Sequence, residues 1–295
     1  MRFLVFDSAE SGQVGRRPVR LSGLWLWLSL TAALLAAAGS GAGLWASDSI
    51  YDKETVALAD ASAAQDIVNL VLVAPSMAAL AVSASRGSLR AYLCWLGFLA
   101  FAVYNYAIYT FSIHFGPLFL VWVAVLGLSL FALIGGLLTL DSTAVKAWFA
   151  GRATPMAAWF LIVVAALIVL LWLSEILPDL LAGDPSSSAS DWNIPTNPVH
   201  VLDLAFFLPA LCATGILLLR RHPVGYATAA GQLTWIALTC LPILVTPLVA
   251  NARGHEPGWA VMLPISILCI LTLVVLVLLL RQVGTSSAPV PEEVR

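Results

Sequence analysis

Eight long apolar runs dominate this 295-residue sequence and restrict the folds that it can adopt. They lie near 21–46, 67–85, 89–113, 117–140, 156–177, 202–219, 224–250 and 259–280. A helix needs about 20 apolar residues to cross the hydrocarbon core of a bilayer, and these runs are close to that length. Their apolar residues are continuous rather than alternating, which favours helices over a membrane barrel. The runs therefore predict an all-α, polytopic transmembrane helix bundle of about eight spans.

Composition excludes most classes of soluble protein. Hydrophobic residues make up 61% of the chain and charged residues 10%, and the mean hydropathy is +0.95. A soluble fold of this length needs far more charged groups on its surface. We therefore expect the lipid bilayer as a partner and no nucleic acid. The sequence leaves protein partners and cofactors undetermined.

The cysteines give no sign of a metal or redox site. All four lie inside predicted spans, without C-x-x-C or zinc-type spacing: Cys94, Cys212, Cys240 and Cys269. This pattern speaks against a disulfide framework and a structural zinc site. We expect these residues to pack as small apolar side chains, and we predict no metal site.

Charge predicts how the spans are oriented. With the N-terminus in the cytoplasm, the inner segments hold 12 of the 14 basic residues, and the outer segments hold only Lys53 and Arg253. Cytoplasmic loops of membrane proteins collect Lys and Arg in this way, whereas here most acids fall on the outer side. We therefore expect both termini in the cytoplasm. The excess of Arg over Lys, with abundant Ala and Leu, suggests a GC-rich bacterial genome, and we accordingly expect the bacterial plasma membrane as the location.

These patterns divide the chain into three parts. Residues 1–20 are predicted to be a cytoplasmic tail, 21–281 the eight-helix transmembrane domain, and 282–295 a disordered cytoplasmic tail. The domain has possible halves at 21–140 and 155–281, because loops of similar character recur in the same order. Asp66 would correspond to Asp203, and His114 to His255. This raises the hypothesis of two parallel four-helix repeats.

Polar residues concentrate toward the outer ends of the predicted spans. A carboxylate in the middle of a span costs about 2.5–3.5 kcal/mol, so acids and histidines there need an explanation. One explanation is an outward-facing pocket for a small polar or cationic ligand, whose histidines titrate near neutral pH. The candidate residues for this pocket are Asp66, Asn69, Tyr106, His114, Glu175, Asn197, His200 and Asp203.

A simpler explanation places the same groups at the level of the lipid headgroups, hydrated by water. Asp66 or Asn197 would then cap the start of a helix. The two explanations differ in whether the side chains converge or stay apart.

Two stretches resemble segments shared by uncharacterised bacterial multi-span membrane proteins. One is N-P-V-H-V-L-D-L-A-F-F-L-P-A-L at 197–211, followed by L-L-L-R-R-H-P-V-G-Y at 217–226. The other is 87–119, with its G-S-L-R turn, tyrosine-rich span and F-G-P-L-F. The resemblance covers about half of the chain. It implies an eight-span fold and brings no activity with it.

Three classes of function remain open from the sequence. The first is a multi-pass membrane protein that binds a small polar or cationic ligand for transport or sensing. The second is a structural protein whose acidic outer loops recruit a partner without any ligand. The third is a membrane enzyme acting on a lipid or quinone at the outer leaflet, with His200 and Asp203 as an acid-base pair.

Overall fold

In the part of the chain that the structure describes, the fold is all-helical and contains eight helices long and apolar enough to cross a membrane. The structure is a computed structural model that describes residues 23–149 and 154–284. The predicted tail at 1–20 lies outside the described residues, as do residues 285–295 of the second one. The spans are α1 Gly23–Trp45, α2 Val56–Ser85, α3 Leu89–Ser112, α4 Phe119–Thr139, α5 Pro155–Ala182, α6 Pro198–Leu219, α7 Pro223–Ala252 and α8 Trp259–Arg281. The prediction of eight helices long and apolar enough to cross a membrane is confirmed for these residues.

The largest difference from the predicted boundaries is at the start of α2, which begins at Val56 rather than near 67. Thr55 caps this end, because its side chain accepts a hydrogen bond from the Leu58 amide. The first turns of α2 carry Asp60 and Asp66, so their hydropathy is too low to be recognised as a span. Both acids consequently lie within the helix, and Asp66 is not a cap.

Contacts between connections show which helix ends lie together. Thr55, between α1 and α2, donates a hydrogen bond of 2.8 Å to the Asp191 carbonyl, between α5 and α6. Arg253, after α7, lies 3.0 Å from Asp60 near the start of α2. These odd-numbered connections hold most of the acids, and we call this side of the bundle the acidic end. Its loop acids are Asp48, Asp52, Glu54, Asp184, Asp191 and Glu256, and Asp179 lies in the last turns of α5.

The opposite side is the basic end. The Arg90 guanidinium donates to the Val283 carbonyl at 2.6 Å, and the Gly284 amide donates to the Trp148 carbonyl at 2.9 Å. Val283 is buried, so the chain just after α8 is held against the start of α3 and the connection between α4 and α5. The described cations here are Arg86, Arg90, Lys146, Arg220, Arg221 and Arg281.

The α3 and α7 helices form the centre of the bundle, and their backbones approach each other closely at two glycines. A Cβ atom added to Gly97 would lie 2.5 Å from the Gly231 carbonyl oxygen, and one added to Gly231 would approach the Leu93 carbonyl at 3.4 Å. Small residues of this kind let helix backbones approach in a membrane, where packing rather than hydrophobicity drives association. The other spans surround this pair.

The same local features recur 134 residues apart in α2–α3 and α6–α7. Each of α2 and α6 contains one five-residue π-helical turn, Asn69–Val73 and Asp203–Phe207, followed by a proline at the second position of a 12-residue α-helix. Proline lacks an N–H group, and a wider turn accommodates the missing hydrogen bond. The corresponding pairs are Asn69 and Asp203, Pro75 and Pro209, Gly87 and Arg221, Leu89 and Pro223, and Gly97 and Gly231. In position, Asp203 therefore corresponds to Asn69 and not, as the sequence predicted, to Asp66.

The glycine contact yields a test of the central packing. Gly97→Ala places a methyl group against the α7 backbone, and overpacking of this kind costs about 1–3 kcal/mol. We expect a lower unfolding midpoint for the detergent-solubilised variant. The matched control is Gly127→Ala in α4, where nothing lies within 4 Å of the added Cβ. Equal midpoints for the two variants would contradict a tight contact between α3 and α7.

Candidate functional site

The eight residues predicted to form one pocket lie in three separate places. Asp66, Asn69 and Tyr106 meet between α2 and α3, whereas Glu175, His200 and Asp203 meet between α5 and α6. His114 and Asn197 lie near the acidic end, apart from both groups.

Asp66 is held by two tyrosines. Its Oδ2 accepts a hydrogen bond of 2.6 Å from the Tyr51 hydroxyl, and its Oδ1 accepts one of 2.9 Å from the Tyr109 hydroxyl. Only 2% of Asp66 is exposed. Gly43 of α1 leaves the space for its carboxyl group, because a side chain there would collide with Oδ2. Both carboxyl oxygens therefore have protein donors.

Tyr51 belongs to the connection between α1 and α2, and its own environment keeps it protonated. Burial raises the pKa of the Tyr51 hydroxyl well above its usual value, and the charge of Asp66 raises this pKa further. The hydroxyl thus remains a donor at any physiological pH. We describe Asp66, Tyr51 and Tyr109 as the tyrosine clamp, which ties the connection to α2 and α3.

Asn69 and Tyr106 lie beside the clamp, and each has a polar group without a hydrogen-bond partner among the described residues. Asn69 Oδ1 accepts from Gln65 Nε2 at 3.1 Å, but its amide nitrogen has no partner in the described structure. The buried Tyr106 hydroxyl also has none, although its ring stacks on Tyr109 with centroids 5.7 Å apart. Both groups could receive a small polar molecule or water, since unpaired buried polar groups are costly.

The second group consists of Trp172 and Glu175 of α5 with His200 and Asp203 of α6, and we call it the quartet. The Trp172 indole donates to Asp203 Oδ2 at 2.8 Å, and its ring lies 4.6 Å from the His200 ring. His200 Nε2 is 3.4 Å from Glu175 Oε2. Each helix contributes two residues spaced i and i+3, so one face of α5 meets one face of α6.

Aromatic rings form the wall of the quartet toward the centre of the bundle. Tyr104 of α3 packs edge-on against Phe207 at 5.0 Å and against Trp235 at 5.4 Å, and its hydroxyl lies near Asp203. Phe207 and Trp235 stack with centroids 4.7 Å apart. The predicted residues did not include Trp172 or Tyr104. The sequence could have indicated them only through their positions, with Trp172 three residues before Glu175 and Tyr104 two residues before Tyr106.

His114 and Asn197 have local structural partners. The His114 amide donates to Glu54 Oε1 at 2.8 Å, and its ring Nδ1 lies 3.0 Å from Oε2. Asn197 Oδ1 accepts from the Val199 amide at 2.9 Å, which makes Asn197 the cap of α6. Capping by Asn197 is thus the role that the simpler explanation gave it.

A further ionic cluster closes the acidic end. Asp60 Oδ1 lies 3.0 Å from the Arg253 guanidinium, and Asp60 Oδ2 lies 2.7 Å from His255 Nδ1. Arg253 also donates to the Ser47 hydroxyl at 3.0 Å. The connection between α7 and α8 is thereby attached to the start of α2.

A cavity of about 170 Å³ lies between the tyrosine clamp and the quartet. Its walls come from α2, α3 and α7, with Trp192 and Val199 on the side of α6. None of the eight predicted residues lines it. Its polar lining groups are Ser62, Gln65, Tyr104, Asn105, Tyr109, Thr239 and Thr246. Asn105 is 3% exposed, and its amide nitrogen has no partner in the described structure.

Two tyrosines on the same helix allow a matched test of the clamp. Tyr109→Phe removes a donor from a buried carboxylate and is expected to cost about 1.5–3 kcal/mol of unfolding free energy. Tyr106→Phe removes a hydroxyl without a partner, so its effect on the unfolding midpoint in detergent should be small. A cost for Tyr106→Phe equal to or above that of Tyr109→Phe would be inconsistent with the clamp.

Comparison with known proteins gives no indication of the function. No protein-family model, curated protein sequence or solved structure matches this chain. Within residues 23–149 and 154–284, no three His, Cys, Asp or Glu side chains are arranged to hold a metal ion. The cavity and the two polar groups beside it are therefore the features that a functional hypothesis must explain.

Proposed function

We propose that this multi-pass membrane protein binds a small polar or cationic ligand in the cavity between α2, α3 and α7, for transport or sensing. The observation that carries the proposal is Asn105, which lines the cavity and whose buried amide nitrogen has no partner among the described residues. Leaving such a group unpaired costs about 1–3 kcal/mol, and a ligand that accepts its hydrogen bond removes this cost. Apolar walls with a few placed polar groups are the usual lining of a small-molecule site.

The position of the cavity favours a ligand with positive or donor character. Tyr109 connects its lining to Asp66, and Tyr104 connects it to Asp203. Two buried acids lie on opposite sides, and when ionised they create a negative potential that the surrounding hydrocarbon does not screen. The acidic loops at the same end of the bundle would concentrate cations at its entrance.

The proposal includes the orientation of the chain in a bacterial plasma membrane, with the basic end and both termini in the cytoplasm. Six described cations lie at that end with a single acid, Asp141, as expected for cytoplasmic loops. The cavity would then open toward the outside. We further propose that α1–α4 and α5–α8 are parallel repeats, supported by the constant offset of 134 residues across α2–α3 and α6–α7.

The other two classes of function have less support. An acid-base pair of His200 and Asp203 would need the two side chains in contact. The described structure instead pairs His200 with Glu175, and Asp203 with Trp172. A purely structural role leaves the unpaired amide of Asn105 without an explanation.

Accessibility labelling tests the orientation. Ser187→Cys lies in an exposed position at the acidic end, and Thr143→Cys lies in one at the basic end. We expect a membrane-impermeant maleimide to label Ser187→Cys in intact cells, and Thr143→Cys only after the membrane is permeabilised. The native cysteines lie within the spans and provide the unlabelled background. The reverse labelling pattern would invert the proposed orientation.

Asn105→Leu tests ligand binding, because leucine has a similar size and cannot hydrogen-bond. Mass spectrometry of small molecules copurifying with the wild type should detect a species that is depleted about 10- to 100-fold with the variant, as expected for one lost buried hydrogen bond. Ser129→Ala is the control, since it removes an unpaired buried hydroxyl of α4 remote from the cavity. Identical sets of molecules from all three proteins would refute the proposal.

A further inference from the structure

The quartet differs from the tyrosine clamp in having an unpaired carboxylate oxygen. Asp203 is 5% exposed and its Oδ2 accepts from Trp172, but its Oδ1 has no hydrogen-bond partner among the described residues. His200 is 7% exposed, and its Nε2 has no hydrogen-bond partner in that part of the chain. In the clamp, by contrast, both oxygens of Asp66 accept hydrogen bonds. Asp203 of α6 therefore has a carboxyl oxygen that can accept a further hydrogen bond, whereas both oxygens of Asp66 in α2 already accept one.

The quartet also has an excess of negative charge. Glu175 is the second carboxylate, and its side chain is 39% exposed, so the group can be reached from outside. Across residues 23–149 and 154–284, the single ion pair of a lysine or arginine is that of Arg253 with Asp60. His200 is thus the one basic group in contact with the quartet acids. A mobile cation would restore the balance.

The aromatic surroundings indicate an organic cation. The rings of Trp172 and Tyr104 lie beside the Asp203 carboxylate, and Phe207 and Trp235 pack behind Tyr104. Ammonium groups are attracted to ring faces, especially that of tryptophan, and bind where rings and carboxylates combine. A small inorganic ion would need several converging oxygen ligands, which the quartet does not supply.

The depth of the quartet matches the level of the lipid headgroups. Asp203 lies five residues after the start of α6 and Glu175 seven before the end of α5, or about 8 Å and 10 Å from these helix ends at 1.5 Å per residue. The neighbouring outer surface is apolar, with Leu171, Val201 and Phe206 exposed by 56%, 53% and 63%. An ammonium group could thus arrive either on a lipid headgroup or as a free amine.

We infer that the quartet of Trp172, Glu175, His200 and Asp203 is a binding site for an organic ammonium group, separate from the central cavity. The ammonium donates to the unpaired Oδ1 of Asp203 and lies against the Trp172 ring. Glu175 provides the second negative charge on the exposed side. Asp66 takes no part in this binding.

The test uses the full chain in nanodiscs of phosphatidylglycerol, which has no amine. In one arm, phosphatidylethanolamine replaces part of the lipid; in the other, soluble ethanolamine or choline is titrated in. The unfolding midpoint of the wild type should rise in at least one arm, because a ligand of the folded state stabilises it. A rise in the lipid arm alone identifies a headgroup, and a rise in the soluble arm identifies a free amine.

Variants separate the quartet from the cavity. Asp203→Asn and Glu175→Gln keep their shapes, and each should weaken the apparent affinity at least about ten-fold, which corresponds to about 1.4 kcal/mol. Asp184→Asn, which removes an exposed acid from the same end, should respond as the wild type does. Asn105→Leu should also respond normally, so that failure of the cavity proposal and failure of this one are distinguishable.

Three results would overturn the inference. One is the absence of any midpoint shift in both arms with the wild type. Another is an equal shift in the wild type, Asp203→Asn and Glu175→Gln. The third is a shift of the same size when sodium or potassium replaces the amine. Glu175→Gln keeps the test valid if Asp203→Asn does not fold, because Glu175 is half-exposed and outside the core.

Discussion

The contact of Gly97 with Gly231 is the constraint on which the arrangement of polar groups depends. It brings α3 and α7 together at the centre of the bundle, so that α3 is surrounded by other spans. The aromatic residues farther along α3 can then face both halves of the chain at once. Tyr109 is directed toward Asp66 and Tyr104 toward Asp203, with the cavity between them.

The two halves of the chain each bury an acid in a span, and the two acids have different surroundings. In α2, the carboxyl group of Asp66 accepts hydrogen bonds from the Tyr51 and Tyr109 hydroxyls, and these bonds offset the cost of burying it. In α6, the carboxylate of Asp203 accepts the Trp172 indole N–H and has the Tyr104 hydroxyl nearby, but its Oδ1 has no hydrogen-bond partner among the described residues. Asp66 therefore holds the connection between α1 and α2 in place. Asp203 keeps an oxygen that can accept a hydrogen bond from a ligand.

The sequence predicted the spans because long apolar runs have no alternative fold in lipid. It missed the first eleven residues of α2, since Asp60 and Asp66 lower the hydropathy of a segment whose polar side chains are buried against other helices. The polar residues were recognised from their types and depth. Their distribution over three places was not predictable, because it depends on which helix faces meet. The partner of Asp66 in the connection, Tyr51, is 15 residues away and has no periodic relation to it.

Each of the two π-helical turns rotates the part of the helix before it relative to the part after it. One extra residue in a turn shifts everything on its far side by about 100° around the helix axis, since an α-helix has 3.6 residues per turn. In α6 the turn lies between His200 at one end and the tightly packed Gly215 at the other. The face that carries the polar side chains is thus set independently of the face that packs in the membrane interior. The polar side chains near the acidic end can therefore change while the packing of the helices in the membrane interior stays the same.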